Sequence, residues 1–444
     1  ILYLRQLMYP NLYYAFRDLF GVEWTGLQFV NSFGFFVALA FIIAGWALTK
    51  ELKRKERAGL LPGKDVKIVV GKPAGTGELL LNFLLGFLLG YKILGLFLAD
   101  RTIASDPQSF IFSSEGSWPA GILLGALMAG MKYWEKNKQK LSKPEERTVR
   151  LWPHDRVGDM VIYALVFGFL GAKIFDNLEN WDRFIEDPIG NLLSFSGLTF
   201  YGGLICAAIA IWFYARKHDI NFKHLCDAFA PALMLAYCVG RMGCQVAGDG
   251  DWGILNSAYV TDPVTSKAVR TDNTGFQKTL QASSAHYQRE FPRDSLDQIP
   301  HKSVQAPSWL PVWMVAYAYP HNVVNAGVPI PGCQGEKYCE HLPVPVFPTP
   351  FYEIVMALLL FILLWSIRKK IKIPGQLFAI YLIINGLERF FIEKIRVNTK
   401  YDGLPFQPTQ AELISSFLVL AGIVLWVWLQ KKYSNTSAPI NSSR

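Results

Sequence analysis

Gly240-Arg-Met-Gly-Cys-Gln-Val-Ala-Gly-Asp-Gly-Asp-Trp-Gly253 closes an otherwise apolar run that begins near Asp227. An arginine at the end of a membrane-grade helix is expensive, so it faces a polar cavity and a partner. The glycines behind it let the backbone turn and approach a ligand closely without steric cost. Two aspartates follow at once. The stretch reads as an apolar helix that carries Arg241 and a Gly/Asp loop to one membrane face, which is how a lipid head-group site is built. The blander reading is an arginine snorkelling to the interface.

Outward from that stretch, the 444 residues are 51% hydrophobic and 14% aromatic, with a formal charge of +9. Long apolar runs between short charged loops define an all-α polytopic membrane protein. Lysines and arginines cluster in alternate loops, so the basic balance reflects membrane topology and calls for no nucleic acid. The six cysteines are too few for a disulfide scaffold. The sequence opens on Ile1, which places the true start upstream, and Ile1–Phe20 lacks the basic region and clean apolar core of a cleavable signal peptide.

Residues 1–31 read as an aromatic, amphipathic arm lying in the membrane interface. Residues 32–247 form a first membrane bundle of six helices, with spans at 32–49, 79–99, 118–134, 157–178, 200–215 and 226–246. Within it, 79–134 is a hairpin joined by a weakly charged loop containing Ser105, Asp106 and Pro107. Residues 248–347 are polar and too long for a bare loop, so they form an ordered domain outside the membrane. Residues 348–431 add spans at 351–367, 376–395 and 413–429, and 432–444 is a cytoplasmic tail. With nine spans and the N-terminus outside, the basic segments 50–72, 135–156, 216–224, 368–372 and 431–432 all fall inside. A short echo is also present: Gly90-Tyr-Lys-Ile against Gly171-Ala-Lys-Ile.

This topology brings polar residues from separate segments to the outer leaflet. Tyr201, Gly202 and Gly203 open the fifth span there, Arg241 and Asp249 close the sixth, and Tyr352 and Glu353 open the seventh. Arg389, Glu393 and Arg396 share one face of the eighth at spacings of four and three, and Lys173 lies in the outer half of the fourth. Buried charges persist only when paired or engaged by a ligand. Arginine's bidentate donors suit a phosphate, whereas an Arg389–Glu393 pair alone would merely lock two helices.

The chain resembles the prolipoprotein diacylglyceryl transferase family. The resemblance rests on Asp227-Ala-Phe-Ala-Pro231 through Gly240-Arg-Met-Gly243, on Asp187-Pro188 through Phe200-Tyr-Gly-Gly-Leu204, and on Pro348-Thr-Pro-Phe-Tyr-Glu353. It extends to Gly386-Leu-Glu-Arg-Phe-Phe-Ile-Glu-Lys-Ile-Arg396 and to Asn31-Ser-Phe-Gly34, in order and over about two thirds of the chain. The departures are Tyr201 for the family's histidine, Phe33 for a tyrosine, Cys244 for an asparagine, and Asp249 for a glutamate in a loop one residue longer. The hairpin 79–134 exceeds the family's usual seven spans, and 254–346 has little that matches.

The resemblance implies a bacterial inner-membrane enzyme with its active site facing the periplasm. It implies transfer of diacylglycerol from phosphatidylglycerol to the lipobox cysteine of a preprolipoprotein, with its signal peptide and membrane lipids as partners. No cofactor or metal is implied, and the thiol comes from the substrate rather than from Cys244. Arg241, Arg389, Glu393 and Tyr201 are the catalytic candidates. Arg396, Lys173, Gly202, Gly203, Gly248, Asp249, Gly253, Tyr352 and Glu353 are the substrate-binding candidates, with Lys173 a peripheral phosphate contact. The alternative is a catalytically weakened relative that binds lipid or signal peptides as a scaffold. Tyr201 favours that alternative, and a set of cations with no apparent partners at one depth favours the enzyme. Cys333 and Cys339 are expected to form a disulfide on the oxidising face, with the other four cysteines reduced.

Overall fold

The computed structural model describes residues 8–98, 110–111, 113–194, 197, 199–292, 295–333, 337–398, 401, 403 and 406–436. Ser105, Asp106 and Pro107 lie outside the described residues. Among the described residues, six helices are long and apolar enough to cross a membrane: Ser32–Arg57, Thr76–Leu98, Pro153–Glu179, Phe222–Ala247, Thr349–Ile367 and Gln410–Ser434. Trp118–Lys138, Phe200–Lys217 and Gln376–Glu393 are also helical. The chain divides into two compact units. One comprises Ile1–Tyr14, Asn31–Ala47 and Cys226–Arg444, and the other Ala15–Val30 and Leu48–Leu225.

In the first unit, helices Phe222–Ala247, Thr349–Ile367 and Gln376–Glu393 pack around Ala230, Met234, Cys238, Ala357, Leu364 and Leu377. Asp227 of the Asp-Ala-Phe-Ala-Pro stretch takes the N–H groups of Gly375 at 2.9 Å and Phe378 at 3.1 Å. It thereby caps helix Gln376–Glu393, whose first donors have no partner within the helix. Gly386 lets that helix close on the last one, because a Cβ there would lie 2.8 Å from the Ser415 carbonyl.

Residues between 254 and 347 gather around Leu255, Phe276, Leu280, Tyr287, Tyr319 and Val344. A turn over residues 319–326 fastens this core to the helix that carries Arg241. The buried Asn322 amide donates to the carbonyls of Tyr319 at 3.0 Å and Ala326 at 2.9 Å, and its oxygen accepts from Ala326 N at 2.8 Å. Val323 N then donates to the Ala247 carbonyl at 2.9 Å, and the Tyr319 hydroxyl donates to Gln245 at 3.0 Å. Gly248 has φ +63°, and a Cβ added there would stand 2.9 Å from that of Asn322. The expected Cys333–Cys339 disulfide is formed, with Cα atoms 5.5 Å apart, and Cys206, Cys226, Cys238 and Cys244 are free.

The second unit corrects the reading of the basic segments as plain loops. Helix Ser32–Arg57 runs past Thr49, supported by the Glu51–Arg54 pair at 2.6 Å, and the chain turns at Gly59 with φ +70°. Lys64–Val70, rich in β-branched residues, then pairs antiparallel with Glu145–Leu151, setting Asp65 opposite Arg150 and Val66 opposite Val149. The two basic segments flanking residues 76–138 are therefore joined in one ribbon.

Helices Val157–Glu179 and Phe200–Lys217 close on each other through glycines. A Cβ on Gly171 would lie 2.5 Å from the Gly202 carbonyl and 2.4 Å from the Cys206 Cβ. Small residues that let backbones approach are the usual means of packing helices in lipid. Gly171→Val should therefore lower stability by about 1–3 kcal/mol or more from overpacking. Gly158→Val, whose Cβ would meet nothing within 4 Å, should not. Thermal unfolding of both variants in detergent checks this, and equal melting temperatures would contradict it.

Candidate active site

Three stretches of the first unit meet at one carboxylate. Glu353 stands in the first turns of helix Thr349–Ile367 and is 0% exposed. Arg241 Nε lies 2.8 Å from its Oε2, Arg389 Nη1 3.2 Å from its Oε1, and Arg396 Nη1 3.7 Å from the same oxygen. The Tyr237 hydroxyl, one turn before Arg241, donates to Oε1 at 2.9 Å. Arg389 also pairs with Glu393 at 3.2 Å, and Glu393 accepts from the Thr409 hydroxyl at 2.8 Å.

The Gly/Asp loop supplies the next carboxylate. Gly248 and Gly250 take φ +63° and +96°, conformations that favour glycine, and turn the chain back over the end of the Arg241 helix. Asp251 then pairs with Arg241 and, at 2.7 Å, with Arg396. Thr349 fixes the loop by donating its hydroxyl to the Asp251 carbonyl at 2.9 Å. At the loop's end Gly253 N reaches the Phe347 carbonyl at 2.8 Å, and Ile254 N reaches the Ile395 carbonyl at 2.9 Å. A side chain on Gly253 would stand 2.6 Å from the Ile395 carbonyl. Burial pushes the Asp251 carboxyl up, but Arg396 and Arg241 outweigh that and hold it at about 2.

Several expected roles change. The cations are not left without partners: three guanidiniums share Glu353, Asp251 and Glu393. Asp249 does not make the arginine contacts; its carboxylate accepts Asp251 N at 3.3 Å, and burial raises its pKa. Asp251, two residues on, carries the pairing that the one-residue-longer loop made hard to assign. Tyr352 turns to the 254–347 core and donates to the Met314 carbonyl at 2.6 Å. Tyr237 went unread because nothing in an apolar helix marks one tyrosine as pointing at a charge.

In the second unit, Lys173 is 4% exposed and donates to Ser194 Oγ at 2.8 Å and the Gly197 carbonyl at 3.4 Å. Gly202 and Gly203 have a packing reason, since Cβ atoms there would lie 2.6 Å from the Gly171 carbonyl and 2.9 Å from that of Gly168. Tyr201 begins the same helix and packs edge-on to Phe200.

Arg396 is 8% exposed, yet its Nε and Nη1 have no hydrogen-bond acceptor among the described residues. Buried donors of this kind are rare and call for a partner. Cys244, Asp249 and Asp251 also bring ligand atoms within 4.8 Å of one another, the spacing of a metal site. Arg241 Nη1 donates to both Cys244 and Asp251, so positive charge already stands there.

The fold and site define a polytopic helical membrane protein with a buried arginine–carboxylate cluster. A sequence model of the family described as prolipoprotein diacylglyceryl transferase matches residues 118–428. The chain belongs to this family. It is 26% identical over 308 residues to the phosphatidylglycerol–prolipoprotein diacylglyceryl transferase of Chlorobaculum tepidum, covering 66% of this chain and 81% of the relative. The protein of the same name from Dehalococcoides mccartyi is 24% identical over 282 residues (63% and 79%), and that of Shouchella clausii 25% over 284 residues (64% and 78%).

Glu353→Ala would leave three guanidiniums around an empty place and should cost about 3–5 kcal/mol, read as a fall in the melting temperature in detergent. Asp251 gives a pH signature. Its folded pKa lies below the ordinary value of 3.8, so its pairing contributes fully above that pH and is lost as pH falls through about 2. Wild type should lose melting temperature between about pH 4 and 2 by more than Asp251→Asn does; parallel curves would remove Asp251 from the ion pairs.

Proposed function

We propose that this chain transfers the diacylglyceryl group of phosphatidylglycerol to the cysteine thiol of a preprolipoprotein lipobox. A carbon–sulfur bond forms as the thiol gives up its proton to water, the glyceryl carbon–oxygen bond to phosphate breaks, and glycerol phosphate leaves with that bond's electron pair. The observation that carries this reading is the convergence of Arg241, Arg389 and Arg396, with two buried donors of Arg396 unsatisfied. Bidentate donors at that point suit both the substrate phosphate and the greater charge it acquires on departure. Family membership and the names of the relatives support the substrate pair.

The incoming thiol has a reference pKa of about 8.5 and needs help to become nucleophilic. In this proposal the arginine cluster lowers that pKa, Glu393 pairs with Arg389 as its orienting partner, and Tyr201 positions substrate by hydrogen bonding. The signal peptide supplies the thiol, and Asp249, Gly248 and Gly253 shape the loop beside the cluster.

The proposal includes the nine-span topology, with the N-terminus and residues 248–347 in the periplasm and the tail in the cytoplasm of a bacterial inner membrane. The ribbon between 64–70 and 145–151 supports it by bringing two basic segments together. The Cys333–Cys339 disulfide suits an oxidising face. The interfacial arm over 1–31 and the bundle limits at 32–247 and 348–431 belong to the same proposal.

Incubating the purified protein with phosphatidylglycerol and a lipobox peptide should add the diacylglyceryl mass to the peptide. Arg241→Ala and Arg389→Ala should each reduce turnover by about a hundred- to a thousandfold, as for loss of one preorganised donor. Tyr201→Phe should keep measurable activity. If it is as inactive as Arg389→Ala while folded and lipid-bound, Tyr201 is the base. Wild-type turnover by Arg241→Ala would remove the cluster from the reaction.

A further inference from the structure

The helical hairpin at 76–138 and the one at 157–217 both belong to the second unit, and they are built on the same plan. A constant offset of 81 residues carries Gly90, Lys92 and Ile93 onto Gly171, Lys173 and Ile174, and Gly121, Tyr133 and Lys136 onto Gly202, Tyr214 and Lys217. The glycine a turn earlier stands four residues before Gly90 but three before Gly171. The extra residue falls at the start of the π turn Leu89–Leu94, whose wider loop absorbs it.

The geometry repeats with the sequence. A Cβ on Gly90 would lie 2.9 Å from Gly121 Cα, and one on Gly171 would lie 2.5 Å from the Gly202 carbonyl, so the same pair of positions closes each hairpin. Lys92 donates to the carbonyls of Phe110, Ser113 and Glu115 at 3.0, 2.5 and 2.7 Å. Lys173 donates to Ser194 Oγ at 2.8 Å and the Gly197 carbonyl at 3.4 Å. Ser113 Oγ donates to the Phe110 carbonyl at 2.8 Å, and Ser194 Oγ to the Asn191 carbonyl at 3.1 Å; both residues of each bond correspond under the offset. The residue before each second helix is tied alike. Ser117 N donates to the Tyr91 carbonyl at 2.9 Å and Thr199 N to the Ala172 carbonyl at 3.1 Å, and Tyr91 corresponds to Ala172.

The two hairpins differ where the first helix ends. The second has Asp176, Asn177 and Glu179 there, and the first has Gly95, Leu96 and Leu98. The polar end is engaged by its own connection: Asp176 pairs with Arg183 at 3.0 Å, its carbonyl accepts from Asn180 at 3.0 Å, and Glu179 accepts from the Thr199 hydroxyl at 2.8 Å. An aspartate has no room at position 95, because a Cβ there would already lie 2.8 Å from Ser117 N.

The apolar end meets another stretch of the same unit. The rings of Trp24 and Phe29 stand 5.7 and 6.0 Å from that of Phe97, Phe29 edge-on. Gly26 comes so near the helix end that a Cβ on it would lie 2.8 Å from the Phe97 carbonyl. Leu96 and Leu27 are both buried. Thr25–Phe29 is a single 3-10 turn, in which Leu27 N donates to the Trp24 carbonyl at 3.0 Å and Val30 N to the Leu27 carbonyl at 3.3 Å. So short an element does not hold its shape alone and depends on what it packs against.

We propose that residues 76–138 are an internal copy of 157–217 whose first helix ends in an apolar seat for residues 24–29. The lysine and the facing glycines are kept because they close the hairpin. The polar groups at 176, 177 and 179 have apolar or absent side chains at the matching places because that end has another task, which is to hold the aromatic end of the N-terminal arm. Gly26 lets the arm's backbone reach the helix end, and Trp24 and Phe29 add their rings to Phe97. The inference is independent of the transferase reading, since no step of that reaction enters it.

Hydrogen exchange of the full chain in detergent, read at single amides by fragmentation mass spectrometry, tests both halves. Phe97→Ala should speed exchange at Leu27 and Val30 about tenfold, as for the loss of two ring contacts, and leave Thr199 as in wild type. Leu178→Ala, the same change at the corresponding place in the other hairpin, should leave Leu27 and Val30 protected. Trp24→Ala alters the other side of the contact and serves if Phe97→Ala does not fold. Lys92→Met should speed exchange at Ser117 but not at Thr199, and Lys173→Met at Thr199 but not at Ser117. Wild-type protection of Leu27 and Val30 in Phe97→Ala and Trp24→Ala would overturn the seat, as would a rise spread equally over both hairpins. A lysine variant that leaves the amide of its own hairpin at wild-type protection would overturn the shared plan.

Discussion

The buried carboxylate of Glu353 is the constraint on which the first unit depends. A charge with no exposure survives only if opposite charges and donors surround it. Here they come from Arg241 and Tyr237 on one helix, Arg389 on another, and Arg396 just past its end. Each contact restricts a backbone. The Gly/Asp loop must turn at Gly248 and Gly250 to bring Asp251 back to Arg241, and Gly253 must lack a side chain to run beside the Ile395 carbonyl. The Asn322 turn holds the end of the Arg241 helix from the other side. The stretch between 254 and 347 is thus part of the frame for the cluster as well as a body with its own core.

Charge balance shapes what the cluster can do. Three guanidiniums face Glu353, Asp251 and Glu393, so the cluster is already close to neutral. Of the three carboxylates, Glu353 and Glu393 are fully enclosed as side chains, while Asp251 is 39% exposed and sits on a glycine-flanked loop. On the proposed reading, Asp251 is the group that can yield its place on Arg241 and Arg396 to a phosphate. That exchange would preserve the count of ion pairs, and Arg396 Nε and Nη1, which have no hydrogen-bond acceptor among the described residues, would add hydrogen bonds without breaking any.

Some of this was legible in the residues alone. Arg389 and Glu393 are four apart on an apolar helix, and a spacing rule suffices to pair them. The apolar runs marked the helices, and Cys333 and Cys339 stood close enough in a polar stretch to bridge. Asp251 was not legible, because a loop with two aspartates gives no periodicity to say which one turns inward. Glu353 could be placed near the others but not at their centre, since centrality depends on where two other segments cross it. The strands at 64–70 and 145–151 were hidden by their lysines and arginines: a two-stranded ribbon exposed on both faces has no apolar alternation to betray it. Gly202 and Gly203 fit a ligand approach or a helix approach equally well, and only the distance to Gly171 and Gly168 supplies a packing reason.

The four-residue echo at Gly90 and Gly171 shows how a weak sequence signal gains force from geometry. Apolar helices produce such matches by chance, but chance does not also reproduce a serine bonded to the carbonyl three residues back and a lysine donating into the same turn. The plan explains why such a unit can be repeated. In a bilayer every backbone polar group must be satisfied within the protein. Each hairpin answers part of that demand by itself: its helices bond internally, its glycines let the helices touch, and its lysine donates to its own connection. A unit with no outstanding polar demands can be added beside the original without redesign of the rest. The ribbon brackets the first hairpin, because Val70 and Glu145, which flank it, are opposite one another in its register.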